Sequence, residues 1–398
     1  MSEQLPVNPV MLRWARETGG FDIDDVVVKL KRKTITSETV ASWEREGAAS
    51  PTYAQLEQLA YEIYKRPLAL FFFPEPPREE TPKQSFRTLP ESEISLMEPR
   101  LRYLIRQARV MQINLAELND GANPAKHQIL HDLSFKPNAS VTEMTVKIRK
   151  YLGVNLVTQK AWRQPYDAFK AWRNTFENNG VFVFKETFNQ RIGKGSMESP
   201  FSGFCLYDKK FPIIYVNNSK SDTRQIFTLF HELCHLLLRT GGVDTRLDDY
   251  IHLLKGDARK TEILCNRFAG SFLVPDADFN KRIAGISINE TSIKKLAKRY
   301  HVSREVILRK FLDRDLIDQS YYERQVKQWA STVTPKSSSG GNYYSTKGTY
   351  LGENYIDLAF SCYLQKKISV DQLANYLGVK VKSVAGMELQ LFRRGGTV

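Results

Sequence analysis

The stretch FTLFHELCHLLL, residues 227–238, sets His231 and His235 four apart with Glu232 between them. It lies within SDTRQIFTLFHELCHLLLRTGG (221–242), which opens on a Ser/Asp cap and closes on paired glycines, so the pattern predicts one well-delimited helix. On a helix, positions i and i+4 share a face one turn apart, and two imidazoles placed so can offer nitrogens to a single ion. Zinc at about 2.0–2.1 Å from each nitrogen still has coordination positions left. Glu232 falls about 100° further round the helix, beside such an ion without binding it. A bound divalent ion lowers the pKa of water from about 15.7 towards about 7 and polarises a carbonyl. A neighbouring carboxylate can then take the water's proton and pass it to a leaving amine. The competing reading is an apolar helix that carries two core histidines.

A hydrolytic His₂Glu set needs one more donor, and two residues downstream offer it. Glu262, in TEILCNRFAGSFLVP (261–275), stands on the next long helical pattern, whereas His252 lies in the short apolar run YIHLL. Glu262 is preferred, because a carboxylate on a second packed helix completes the set. Cys234 and Cys265 lie near these positions and are read as small hydrophobes, with a redox role as the alternative. Tyr215, Tyr250 and His252 are the candidates for a donor to the developing oxyanion.

Ahead of the metal helix, VFVFKE (181–186), GFCLYD (203–208) and FPIIYVN (211–217) are β-branched and aromatic, hence strands. The last two are expected to form a hairpin, with GFCLYD offering an edge on which an extended substrate could pair. EPRLRYLIRQARVMQINLAEL (98–118), TEMTVKIRKYLG and PYDAFKAWRNTFENNG read as helices, as do VMLRWARE, DDVVVKL, ETVASWE and YAQLEQLAYEIY in the first 75 residues. PEPPREETPKQ (74–84) marks a linker, and STVTPKSSSGGNYYSTKG (331–348) a polar separator before a last helical region. LAKRYHVSREVI (296–307) and LANYLGVKVKSV (373–384) form a weak repeat with helix-turn-helix spacing.

With 398 residues and 42% hydrophobic content the chain can fill more than one core. No apolar run is long enough for a membrane span, the first residues lack the order of a signal peptide, and four scattered cysteines suit a reducing compartment; a cytoplasmic protein is expected. The net charge of +14 is unevenly spread: residues 281–314 carry ten Lys/Arg against three Asp/Glu, residues 1–75 nine against eleven. Any phosphate contact is therefore expected from Lys294, Lys295, Lys298, Arg299, Arg304, Arg309 and Lys310. The alternative for these residues is the charged outer face of a helical pair packed on its neighbour. KLKRK (29–33) is a further small basic cluster.

The blocks IIYVN (213–217), FTLFHELCHLLL and EILCNRFAGSFLVP (262–275) together resemble the ImmA/IrrE family of bacterial zinc metallopeptidases. The resemblance implies one Zn²⁺ per chain held by His231, His235 and Glu262, with Glu232 as the catalytic carboxylate. It also implies a protein substrate, a helix-turn-helix repressor or antitoxin-like partner, whose cleavage relieves repression of stress, mobile-element or defence genes. VASWEREGAASPTYAQLEQLAYEIYKRPLALFFFP (40–74) is similar to the phage-repressor type of helix-turn-helix often joined to such peptidases. The expected architecture is α+β and mostly helical: a helix-turn-helix domain (1–75), a linker (76–97), a zincin-like domain with a small mixed or antiparallel sheet (98–280), a basic helix-turn-helix-like segment (281–330) and a helical C-terminal region (331–398). The rival reading is a DNA-binding regulator with a structural or idle zinc site. A third is a peptidase switched by nucleic acid or oxidation.

Overall fold

The computed structural model describes residues 6–79, 97–192, 195–239, 242–244, 254–331 and 342–395. It is an α+β fold, mostly helical. The chain divides into two compact units, Met1–Gln107 and Ala108–Val398.

In the first unit, α1 (Pro9–Gly19), α2 (Ile23–Leu30), α3 (Ser37–Trp43) and α4 (Tyr53–Glu57) follow in order, and α4 runs on into a wider π-helical turn, Gln58–Tyr64. Each start is fixed by a side-chain cap: Asn8 for α1, Asp22 for α2 and Thr36 for α3 each accept a hydrogen bond from a backbone N–H of the first turn. Met11, Leu12, Val26, Leu30, Val40, Leu56, Leu59 and Phe71 form the core. Arg16 grips the Glu44 carboxylate with two hydrogen bonds of 2.7 and 2.8 Å, joining α1 to the end of α3.

Helices α5 (Pro99–Leu118), α6 (Ile129–Asp132), α7 (Val141–Leu152), α8 (Leu156–Ala161) and α9 (Pro165–Asn178) come next. Strands β1 (Phe182–Glu186), β2 (Gln190–Ile192), β3 (Gly195–Met197), β4 (Gly203–Leu206) and β5 (Ile213–Asn217) precede α10 (Asp222–Leu237), β6 (Gly242–Asp244) follows it, and then comes α11 (Gly256–Leu273). The main sheet has the order β1-β5-β4-β6; β1 is parallel to β5, and β4 is antiparallel to both its neighbours. The β4–β5 hairpin is real, its turn fixed by Asp208 Oδ1, which accepts from the backbone N–H groups of Lys210 (2.8 Å) and Phe211 (2.7 Å). Strand β4 is interior, however, not an edge. Its partner β6 lies beyond the whole of α10 in sequence, so local pattern could not show that pairing.

Strand alternation sorts the sheet into two faces. Val183, Cys205, Ile214 and Val216 join the core around α10, while on the opposite face Tyr215 stacks on Phe204 and meets the Phe184 ring at a tilt. Helix α10 is buried without interruption from Gln225 to Leu237, so it is a central helix rather than an amphipathic surface one. Phe230 fixes it sideways: its ring packs edge-on to Trp172 of α9 (4.8 Å) and stacks on Phe272 of α11 (4.3 Å). Close approach of α10 to the sheet requires Gly203. A Cβ there would collide with Thr228 Cγ2 and lie 2.7 Å from the Tyr215 carbonyl oxygen. Gly203→Ala is expected to lower stability by about 1–3 kcal/mol, read as a reduced urea midpoint at unchanged slope.

Helices α12 (Asp276–Ile283), α13 (Glu290–Tyr300), α14 (Arg304–Leu312) and α15 (Gln319–Ser331) follow, then α16 (Tyr343–Leu351), α17 (Glu353–Leu364), α18 (Val370–Leu377) and α19 (Val384–Gly395). Both copies of the weak repeat are helix–turn–helix pairs, α13–α14 and α18–α19, and each first helix ends on a left-handed residue, His301 (φ 56°) and Gly378 (φ 60°). Two sequence expectations need correction here. Helix α10 stops at Leu237, with Arg239 already left-handed (φ 56°), ahead of the paired glycines. The polar separator is helical from Tyr343, because Asn342 Oδ1 caps α16 by accepting from Tyr344 N (2.9 Å) and Ser345 N (3.4 Å). Residues 80–96 of the proline-rich stretch and residues 332–341 lie outside the described residues.

Candidate metal centre

Ser221 starts α10 by accepting from Arg224 N (3.3 Å), which sets the helix phase and turns His231 and His235 to the side where α11 packs. Glu262 comes from α11. The three side chains converge: His231 Nε2 is 3.1 Å from His235 Nε2 and 3.2 Å from Glu262 Oε2, and His235 Nε2 is 3.4 Å from Glu262 Oε1. One ligand atom from each lies within 4.8 Å of the others. All are buried, His231 at 1%, His235 at 0% and Glu262 at 5% exposure.

The donor chemistry fits a cation. Metal bonds of about 2.0–2.1 Å at tetrahedral angles separate neighbouring ligand atoms by about 3.3–3.4 Å, and the edges found here are 3.1, 3.2 and 3.4 Å. Burial by itself raises the Glu262 carboxyl, but positive charge on His235 and then on His231 outweighs it and holds the group well below the usual carboxylate range. Two ring nitrogens and a carboxylate oxygen gathered this closely make a donor set suited to a divalent ion. Glu232, next to His231 on α10, is completely buried and stands outside the donor triangle.

Residues 176–312 match the family model of the IrrE N-terminal-like domain, a peptidase M78 model. That match reaches from α9 through the donor triangle to the end of α14. It supports a metallopeptidase-type function for this part of the chain. No curated protein matches the chain.

The remaining sequence candidates divide. Tyr215 projects to the sheet face away from α10, stacked on Phe204 at 5.3 Å, so it is not an oxyanion donor. His252 and Tyr250 lie outside the described residues. Cys234 and Cys265 are fully buried, and burial first, then a hydrogen bond with Cys234, pushes the Cys265 thiol well up, as expected of an unreactive thiol.

Among the basic residues, Lys310 is a correction. It is 6% exposed, donates to Asp276 Oδ1 (2.8 Å) and Ser271 Oγ (3.1 Å), and cannot meet a phosphate. Helix α14 buries Val306, Ile307, Leu308 and Phe311, which leaves little of it to present as a recognition helix. Arg304 is engaged by Glu290 (2.6 Å) and lies over the Trp329 ring, Arg309 pairs with Asp313 (2.9 Å), Lys294 with Glu290 (3.2 Å), and Arg299 approaches Asp278 (4.0 Å). Lys295 and Lys298 are exposed. The arrangement is that of a packed helical pair with a charged outer face.

One residue of the centre was given no role by the sequence reading. Asn266 Oδ1 lies 2.9 Å from His231 Nδ1. Its signal was its spacing: Asn266 follows Glu262 by four residues, hence the same face of α11.

Proposed function

We propose that this chain is a zinc-dependent endopeptidase that cuts a protein partner, a helix-turn-helix repressor or antitoxin-like regulator, and so relieves transcriptional repression. The observation that carries the proposal is the buried donor triangle of His231, His235 and Glu262, with Glu232 adjacent on the same helix. His231, His235 and Glu262 would hold the ion; two neutral rings and a single carboxylate leave it a net positive charge. When bound, that ion supplies Lewis acidity towards water and the scissile carbonyl.

The chain's own groups do the rest. Glu232 accepts the proton of the attacking water and returns it to the departing amine as the peptide bond breaks. Packing of Phe230 between Trp172 and Phe272 holds α10, and with it both histidines, in place. With β4 paired on both sides, backbone recognition of an extended substrate falls to an outer strand of the sheet. The helix-turn-helix-like first unit is proposed to recognise the partner or its DNA site; its basic stretch Lys31–Lys33 is exposed at the α2–α3 turn. A reducing, cytoplasmic setting accords with four buried cysteines, none of them in a disulfide, and no helix among the described residues is long and apolar enough to cross a membrane.

The test is to incubate the chain and zinc with the regulator encoded beside its gene and to map new termini by mass spectrometry. A single dominant cut that vanishes with chelator is expected. An intact regulator after prolonged incubation with zinc-loaded protein contradicts the substrate assignment.

A further inference from the structure

We infer that Asn266 is a positioning residue that fixes the tautomer and ring angle of His231 for metal capture. This rests on the metal-centre reading above and adds to it a group outside the donor set. Both ring nitrogens of His231 have a neighbour: Nε2 faces Glu262 Oε2 at 3.2 Å and His235 Nε2 at 3.1 Å, while Nδ1 lies 2.9 Å from Asn266 Oδ1. An amide oxygen only accepts, so this contact is a hydrogen bond in the tautomer that carries its hydrogen on Nδ1. A neutral imidazole protonated at Nδ1 keeps its lone pair on Nε2, the atom that faces the centre. The opposite tautomer would aim an N–H at the place the ion occupies, and that proton would have to leave before the ion could enter.

Helix geometry makes the arrangement economical. Glu262 and Asn266 stand one turn apart on α11, so a single helix face supplies the third donor and also the acceptor that orients the first. Asparagine is a weak helix former in a helix interior, since its amide competes for backbone hydrogen bonds. Here that side chain is spent on His231 instead. An amide also orients the ring without adding a second negative charge next to Glu262.

The experiment uses the full chain. Zinc affinity is measured by competition with a chromogenic chelator for wild type, Asn266→Leu, Asn266→Ala and Asn266→Asp, and the His231 Nδ1–H is followed by ¹⁵N–¹H spectra of histidine-labelled, zinc-loaded protein. Asn266→Leu and Asn266→Ala are expected to bind zinc about 10–100-fold more weakly, and Asn266→Asp, which keeps an acceptor, to stay close to wild type. The Nδ1–H of zinc-loaded wild type is expected to be protected from solvent exchange, and to lose that protection in Asn266→Leu. Wild-type zinc affinity in a folded Asn266→Leu or Asn266→Ala, or an unprotected Nδ1–H in zinc-loaded wild type, overturns the inference. Should neither apolar variant fold, the wild-type spectrum decides by itself. A wild type that binds no zinc refutes the metal reading and the inference with it, whereas a wild type that binds zinc and variants that bind it equally well refute only the role of Asn266.

Discussion

Glu232→Gln is expected to cut peptide-bond cleavage by about 10²–10⁴-fold while the protein still holds its metal. The amide matches the carboxylate in size, and Glu232 is not part of the His231, His235 and Glu262 triangle, so the donor set is left whole. What disappears is the only function proposed for this side chain, the movement of a proton between water and the leaving amine. The side chain is fully buried, and an amide of the same size keeps its packing. Largely unchanged thermal stability together with lost cleavage is therefore the expected signature. Undiminished cleavage by the metal-loaded variant would remove Glu232 from the chemistry, and loss of metal along with activity would make it a structural element of the centre.

Arg173→Met is expected to have the largest effect on folding, a loss of about 3–5 kcal/mol in denaturant unfolding. Arg173 on α9 is buried and paired with Glu177 at 3.0 Å, the two side chains being 7% and 8% exposed. Its guanidinium also donates to the carbonyls of Thr349 (2.9 Å), Tyr350 (3.3 Å) and Leu351 (2.6 Å) at the end of α16, and to that of Val183 in β1. One side chain thus satisfies the last turn of α16 and ties the C-terminal helices to the sheet. Burial already raises the Glu177 carboxyl; Arg173 is the main group holding it down, so methionine would leave that carboxyl without its cation. The double variant Arg173→Met, Glu177→Leu is expected to recover part of the loss, since no orphaned charge remains. An effect below about 1 kcal/mol for the single variant would show that the pair does not anchor these helices.

The donor set was legible because helical periodicity is local. His231 and His235 reveal their common face by spacing alone, and Glu262 is a carboxylate on the next long helical pattern. Features that depend on distant partners were not legible. Whether β4 is an edge depends on β6, across the whole of α10. Lys310 reads as one more surface cation until Asp276, 34 positions earlier, is found beside it. The face on which Tyr215 lies follows from the register of β5 with β1 and β4, which the strand pattern leaves open by one residue. Arg239 ends α10 in a left-handed conformation that side-chain chemistry alone would have assigned to the glycines after it.

Everything rests on a cation at the junction of α10 and α11, so the most direct measurement is the metal content of the native, full-length protein by elemental mass spectrometry. The account predicts one zinc per chain, removable by chelator, restored by added zinc, and absent from Glu262→Ala and His235→Ala. Metal-free wild-type protein that takes up no zinc when it is supplied, or variants that bind it as the wild type does, would contradict it.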